Sequence, residues 1–289
     1  MRSLADAVAE AVAEPVLSVA AVHGGDTATA WRMDLASGRR VFAKTHPTPP
    51  PGFFTTEAAG LRWLAEPGTT AVADVVAVSD GDVDNPAHLV LEWIESGRPR
   101  RDTEAEFGRS LALLHRATPE SFGRTDRRST GSLELPNEPV DTWAEFYATQ
   151  RMAPLARLAR DRHALPDASI AALGRLDADR LRVVGGPPEP PARLHGDLWA
   201  GNRIVDADGR SWLIDPAAHG GHREFDLAMM RLFGGFGSVC FAAYQEVAPL
   251  ADGWRERTAL HQVAPLVVHA IKFGGGYRAS AAEAIATYA

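Results

Sequence analysis

Leu194-His195-Gly196-Asp197-Leu198-Trp199-Ala200-Gly201-Asn202, followed by Trp212-Leu213-Ile214-Asp215, is the stretch on which the reading of this chain turns. Arg203–Val205 and Trp212–Ile214 are short β-forming runs that enclose Asp206-Ala207-Asp208-Gly209, a turn-rich segment, so they predict a hairpin. The residue entering the first strand of a hairpin and the residue leaving the second lie at the same end. Asn202 and Asp215 hold those positions, so an amide oxygen and a carboxylate should converge. Such a pair suits a hard cation such as Mg²⁺, which takes one or two protein oxygens and fills its remaining positions with phosphates and waters. Asp197, five residues before Asn202, falls on the adjoining loop, where it can face a substrate hydroxyl.

Upstream, Val41-Phe42-Ala43-Lys44 reads as an apolar strand ending in a lysine. Of the thirty basic residues only two, Lys44 and Lys272, are lysine, so one in an interior position is a pointed choice. A lysine in a buried strand needs an anion, either a carboxylate or a phosphate. Glu57 is the candidate carboxylate, because it shares an inward helix face with Leu61 and Leu64. A Lys44–Glu57 pair would hold the ammonium where nucleotide phosphates arrive. Gly24 and Gly25, in the turn before the Trp31–Ala36/Arg39–Lys44 hairpin, would let backbone N–H groups approach phosphate. Leu89–Ile94 reads as the last strand before a change of pattern, with the main chain of Glu92 and Ile94 available to an adenine edge.

The remaining pattern supplies the frame. Residues 1–96 read as a small, mainly antiparallel sheet with a helix over Thr55–Leu64 and strands over Val72–Val78 and His88–Ile94. Residues 97–289 read as mostly helical, with Trp143, Phe146 and Tyr147 continuing into Met152, Leu155 and Leu158. The fold class is therefore α+β in two lobes, with the crossing near Glu95–Arg98. A chain of 289 residues, 45% apolar and 23% charged, can bury a sizeable core. A net charge of −7 argues against nucleic-acid or anionic-membrane partners. One cysteine, Cys240, leaves neither a disulfide framework nor a thiolate metal cage, and its apolar context reads as inert core. No apolar run reaches membrane length, and Asp6, Glu10 and Glu14 interrupt the N-terminal one, so a cytoplasmic monomer is expected.

An aspartate base, an asparagine five residues on and a second aspartate after the next hairpin resemble the arrangement of protein-kinase-like phosphotransferases. More narrowly, Leu194–Asn202, Asp215-Pro216-Ala217, Gly220–Met229, Leu232–Phe236, Gly108–His115 and Phe273–Tyr277 resemble the fructosamine (ketosamine) kinase family, and such matches span nearly the whole chain. The resemblance implies a bilobal protein-kinase-like fold and ATP-dependent phosphorylation of a ketosamine, a small-molecule glycated amine, at its sugar 3-hydroxyl. It implies that Asp197 takes the hydroxyl proton, Asn202 and Asp215 hold Mg²⁺, and Lys44, set by Glu57, grips the phosphates. Asp226 is expected to brace the catalytic loop, and Trp199, Glu224 and His269 are the acceptor candidates. Thr27-Ala28 stands where that family's glycine loop often carries an Ile-Asn, and Asp26 where some members place a cysteine, so no redox switch is expected there.

Two rival readings remain. An aminoglycoside, choline or another small hydroxylated amine would keep the kinase and change the acceptor. A metallophosphoesterase built on His195, Asp197, Asp215, His219 and His222 would leave Lys44 and Glu57 without a purpose and fits no zinc-ligand spacing.

Overall fold

Along the strand that carries Lys44, side chains alternate between two faces, and each face has its own helix. The computed structural model describes residues 2–22, 28–126, 129–130 and 133–289. The first half comprises α1 (Leu4–Ala11), β1 (Val16–Val22), β2 (Thr29–Leu35), β3 (Arg40–Thr45), α2 (Phe53–Ala65), β4 (Ala71–Val72), β5 (Val75–Ser79) and β6 (His88–Glu92). Five of these strands form an antiparallel sheet in the order β1-β2-β3-β6-β5. Val41 and Ala43 of β3 bury against Val8 of α1 together with Met33, Leu35 and Val90. Phe42 and Lys44, displaced by one residue, face the side covered by α2, where Phe54, Ala58, Leu61 and Leu64 are buried. Gly52 gives α2 no side-chain cap. Asp80, just past β5, supplies one instead by accepting from the N–H groups of Phe54 (3.1 Å) and Thr55 (3.2 Å).

The expected single strand over Val72–Val78 is two strands with different partners. Val75–Ser79 joins the five-stranded sheet, whereas Ala71–Val72 leaves it and pairs in parallel with the second strand of the downstream hairpin, Ala71 opposite Trp212 and Val72 opposite Leu213. The break falls at Asp74, whose N–H donates to the Glu92 carboxylate (2.8 Å) and whose carbonyl accepts the Glu92 N–H (3.0 Å).

The second half contains α3 (Thr103–Arg116), β7 (Ser129–Thr130), β8 (Leu135–Pro136), α4 (Trp143–Phe146), α5 (Ala153–Asp161), α6 (Asp167–Gly174), α7 (Ala178–Val184), β9 (Ala192–Leu194), β10 (Arg203–Val205), β11 (Ser211–Leu213), β12 (His219–Gly221), α8 (Glu224–Leu232), α9 (Ser238–Val247), α10 (Thr258–Phe273) and α11 (Gly276–Tyr288). The predicted hairpin is β10–β11, paired from Arg203 opposite Leu213 to Val205 opposite Ser211. The crossing segment is pinned along it, with the Gly97 N–H donating to the Val205 carbonyl at 2.8 Å. Strands β9 and β12, three residues each and not anticipated, pair antiparallel and frame the loop that begins at His195.

Two prolines shape the helical part. Tyr147–Met152, between α4 and α5, is a π turn rather than continuous α-helix. Pro154 has no N–H to offer the Gln150 carbonyl, and the Arg151 guanidinium donates to that carbonyl at 2.8 Å. Pro265 leaves a similar gap inside α10 at the His261 carbonyl, where the Tyr147 hydroxyl sits at 3.3 Å, 2.9 Å from the Leu260 carbonyl, and accepts the Ala264 N–H at 3.2 Å.

A single apolar cluster runs from α2, β4 and β6 through α3 to α8 and α9, and includes Leu198 and Leu213. Cys240 lies fully inside it, and burial pushes its thiol up to about 12, as an inert core residue requires. Among the described residues no helix is long and apolar enough to cross a membrane.

Candidate active site

The loop that leaves β9 is held from below by one buried carboxylate. Asp226, on α8, accepts the backbone N–H groups of His195 (2.7 Å) and Gly196 (2.9 Å). Its Oδ2 also lies 3.3 Å from Nε2 of His115, whose other ring nitrogen is 2.9 Å from the Tyr244 hydroxyl. Burial works to raise the Asp226 carboxyl, but the His115 hydrogen bond and the backbone donors outweigh it and hold the group ionised below its ordinary range. Gly196 takes φ 78°, and a Cβ there would run into the Ala217 carbonyl, so this turn accepts glycine alone. His195 uses both ring nitrogens locally. Nδ1 accepts the Asp197 N–H at 3.2 Å, so Nε2 carries the proton that it donates to the Ile214 carbonyl at 2.8 Å. Beyond Asp197 the chain alternates between anchor and surface. Leu198 is fully buried, whereas Trp199 is 40% exposed.

Asn202 and Asp215 stand at the same end of the β10–β11 hairpin. The Asn202 amide donates to the Asp197 carbonyl (2.8 Å), to Asp197 Oδ2 (3.1 Å) and to the Asp215 carbonyl (3.4 Å). Turning the amide over would set oxygen against oxygen, so its own oxygen is the group left for a cation. Asp215 adopts φ 55°, a left-handed conformation that an aspartate tolerates better than most side chains, and this aims its carboxylate back at Lys44. Lys44 Nζ donates to Glu57 and to Asp215 Oδ1, each at 2.8 Å, and thereby ties β3 and α2 to the hairpin. An amide oxygen beside a carboxylate, with no thiolate or free imidazole, fits a hard cation that keeps waters and phosphates.

The charges are balanced unevenly. Burial would lower the Lys44 pKa, but Glu57 and Asp215 outweigh it and keep the ammonium charged above the usual lysine range. Burial also works to raise Asp215, yet the Lys44 charge and hydrogen bond hold it lowered and ionised. Glu57 is pushed up by burial, with Lys44 opposing. Burial, reinforced by the charge of Asp215, raises the Asp197 carboxyl to about 7.

The structure sorts the other expected residues. Gly24 and Gly25, like Asp26 and Thr27, lie outside the described residues. The Glu92 N–H donates to the Asp74 carbonyl at 3.0 Å, so this one of the main-chain groups expected at the adenine edge is already engaged. Trp199 and His269 are brought to one wall through Phe233, whose ring is 6.2 Å from Trp199 and 5.0 Å from His269. The indole lies across Gly201, where a Cβ would collide with it.

Glu224 does not join that wall. It is 1% exposed and both its oxygens are taken by Arg257, at 2.9 and 2.6 Å, with His261 Nε2 at 3.4 Å. Its role is to pair α8 with the start of α10. Burial works to raise Glu224, but His261 and Arg257 outweigh it and lower the carboxyl to about 2. Because the folded pKa lies below the ordinary 4.5, the stability it contributes is present above pH 4.5 and is lost as pH falls toward 2. Glu224→Gln should therefore cost about 3–5 kcal/mol at pH 7. Urea titrations should show the gap to wild type narrowing by up to ~1.4 kcal/mol per pH unit below 4.5. A gap that stays constant with pH would remove the ion-pair explanation.

His222, Glu224 and His261 present ligand atoms within 4.8 Å of one another, the one such group among the described residues, but the grip of Arg257 on Glu224 makes this an ion-paired cluster rather than an open ligand set. The phosphoesterase grouping does not assemble, since both His195 nitrogens bond the backbone and His219 stacks on Phe146 at 5.4 Å. Three contributors were not assigned from the sequence: His115, which supports Asp226, Phe233, which links the wall, and Lys272, whose charge acts on Asp197 and Asp215. The scarcity of lysine was the only local signal for the last of these.

Comparison with known proteins agrees with this geometry. A family model described as fructosamine kinase matches residues 1–289. A probable ketoamine kinase of Synechocystis is 34% identical over 233 residues, 80% of this chain and 76% of the relative. The chloroplastic protein-ribulosamine 3-kinase of Arabidopsis thaliana is 31% identical over 284 residues, 96% of this chain and 85% of the relative. The crystal structure of a candidate fructosamine-3-kinase from Thermobifida fusca superposes with a TM-score of 0.90 at 40% identity, covering 99% and 98% of the two chains. An aminoglycoside phosphotransferase, at 15% identity and a TM-score of 0.62 over 98% of this chain and 96% of its own, shares the protein-kinase-like fold.

Proposed function

The chain belongs to the fructosamine kinase family, and from that premise we propose that it transfers the terminal phosphoryl group of ATP to the sugar 3-hydroxyl of a ketosamine. Phosphorylation there makes the adduct prone to release its amine. The observation that carries the reading is the double ion pair of Lys44 with Glu57 and Asp215, which joins a nucleotide-side lysine to the hairpin next to Asp197 and Asn202.

In this reading residues 1–96 bind the nucleotide and residues 97–289 carry the acceptor and the reacting groups. The carbonyl of Glu92 and the N–H of Ile94 meet the adenine edge, Gly24 and Gly25 approach the phosphates, and Lys44, oriented by Glu57, binds the phosphates that remain on ADP. Asn202 and Asp215 would hold Mg²⁺, which when bound neutralises phosphate charge. Asp197 orients the acceptor hydroxyl. As the new oxygen–phosphorus bond forms and the bond to the ADP oxygen breaks, the hydroxyl proton passes to Asp197. The backbone bonds to Asp226 fix the loop before substrate arrives, so positioning and charge neutralisation supply most of the rate. Trp199 offers a flat apolar face to the sugar, with His269 on the same wall. The location that goes with this reading is cytoplasmic, with the chain acting as a monomer.

The test is ADP release with Mg-ATP against a panel of fructosyl- and ribulosyl-amines beside aminoglycosides and choline. ADP should appear with the ketosamines, together with a product heavier by one phosphoryl group. Turnover confined to aminoglycosides or choline would transfer the assignment to that acceptor class.

A further inference from the structure

Two glycine runs, Gly234-Gly235 after α8 and Gly274–Gly276 where α10 meets α11, have no part in the nucleotide or metal groups. Both turn the chain through left-handed conformations, with φ 73° and 87° at Gly234 and Gly235 and 66° and 56° at Gly274 and Gly275. The first turn is fitted to the catalytic loop. A Cβ on Gly235 would collide with that of Ala200, and the Gly235 carbonyl accepts from the Arg203 guanidinium at 3.2 Å. On one side of this turn Phe236 packs against the core, with Arg203 4.6 Å from its ring. On the other side Phe233 is left 36% exposed, 6.2 Å from Trp199. The second turn sets Phe273 and Tyr277 at 5.4 and 5.0 Å from His269, and Tyr277 lies 6.4 Å from Phe233 itself.

Three of these rings serve no core. Trp199, Phe233 and Phe273 belong to none of the buried apolar clusters, and all three are exposed on one patch that starts two residues beyond Asp197. Contiguous exposed rings of this kind mark a binding surface. The rim of the patch is positive. Lys272 Nζ stands 5.1 Å from the Phe273 ring, and Arg278 Nε lies 3.6 Å from where a Cβ on Gly274 would stand. Among the described residues neither cation is within ion-pair distance of a carboxylate, in a chain whose net charge is −7. A lysine in the last turn of a helix also complements the helix dipole, and rings at a junction of helices also pack. On those accounts alone, losing them would shift stability and affect every acceptor by the same factor.

An acceptor whose sugar lies on Trp199 carries the substituent of its amine toward Phe233 and Tyr277. The rings suit an apolar substituent, and the positive rim suits a carboxylate. The ketosamine of a free α-amino acid with an apolar side chain offers both. A ketosamine on the ε-nitrogen of a protein lysine offers a plain methylene chain and no carboxylate near the nitrogen. We propose that Phe233, Tyr277 and Phe273, with Lys272 and Arg278 at the rim, form the subsite for the amine-borne part of the acceptor and select ketosamines of free apolar α-amino acids. The inference rests on the ketosamine reading given above and deepens it by naming which ketosamine. These residues act on acceptor binding and take no part in the transfer itself.

The test measures kcat and KM with Mg-ATP on four acceptors: α-fructosyl-phenylalanine, its amide, α-fructosyl-glycine, and ε-fructosyl-lysine within a blocked peptide. Wild type should prefer the phenylalanine conjugate over the glycine one by about 10-fold in kcat/KM, and over its own amide by about 3- to 5-fold. Phe233→Ala should erase most of the first preference through KM, and Phe233→Leu should restore part of it. Lys272→Met combined with Arg278→Met should erase the second preference and keep the first. A Phe233→Ala variant that loses all four acceptors by one factor would make the ring structural and overturn the proposal. So would a wild type that favours the peptide-borne lysine adduct. If wild type phosphorylates no ketosamine, the reaction assignment falls instead. Calorimetric titration of the ADP-bound enzyme with α-fructosyl-phenylalanine then decides the subsite: binding that weakens in Phe233→Ala supports it, and absent or unaltered binding removes it.

Discussion

Asp197→Ala lowers phosphoryl transfer by about 10²- to 10⁴-fold, the range for removing a positioned base, and leaves Mg-ATP binding nearly intact. The separation follows from how the loop is built. The shorter of the two Asn202 bonds to Asp197 goes to the main-chain carbonyl at 2.8 Å, which alanine keeps, and only the 3.1 Å bond to the carboxylate is lost. The turn is fixed by Asp226 through the N–H groups of His195 and Gly196, and Leu198 remains anchored in the core. None of these contacts uses the Asp197 side chain. Single-turnover transfer rates beside calorimetric titration with Mg-ATP would measure both halves of the expectation. Near-normal turnover would remove Asp197 as the base, and lost nucleotide affinity would show that it shapes the metal end after all.

Lys44→Met is expected to damage fold and function together. Methionine fills much of the volume but leaves the nearly buried Glu57 carboxylate beside the partly exposed Asp215 with no cation between them. Breaking a buried pair in this way costs about 3–5 kcal/mol, because the surviving charges are stranded. Urea midpoints should fall accordingly, and ATP should bind weakly at best. A second change separates the two effects. Adding Glu57→Gln removes the raised, more weakly ionised acid, so much of the stability should return while nucleotide use does not. If Lys44→Met responded to ATP as wild type does, neither the pairing nor the phosphate role would stand.

The parts of this molecule that could be read from its sequence are those set by short spacings. The approach of Asn202 and Asp215 follows from a tight hairpin, and the inward course of Glu57 follows from helical periodicity with Leu61 and Leu64, so both are legible in the residues themselves. Lys44 is similar, since strand alternation opposite Val41 and Ala43 dictates its face. What escaped depends on partners far along the chain. Glu224 sits in a motif that resembles a site, yet its fate is decided by Arg257, thirty-three residues away, which takes both oxygens. Val72–Val78 has one continuous β pattern, and nothing local says that its first part will belong to another sheet. Strands β9 and β12 are three residues long, too short for alternation to show. Lys272 lies seventy-five residues from Asp197, and it is tilted and edge-on ring contacts through Phe273, His269 and Phe233 that join its helix end to the wall of Trp199.

The departure of Ala71–Val72 from its own sheet to lie beside Trp212 and Leu213 means that the two halves are stitched as well as stacked. A strand borrowed across the cleft acts as a tether close to the pivot. It limits how far the half that carries Lys44 can swing as a rigid block against the half that carries Asp197. The same stitch, running into one shared apolar interior, makes the halves melt together, so neither is a portable module that could be lifted into another chain and keep its shape.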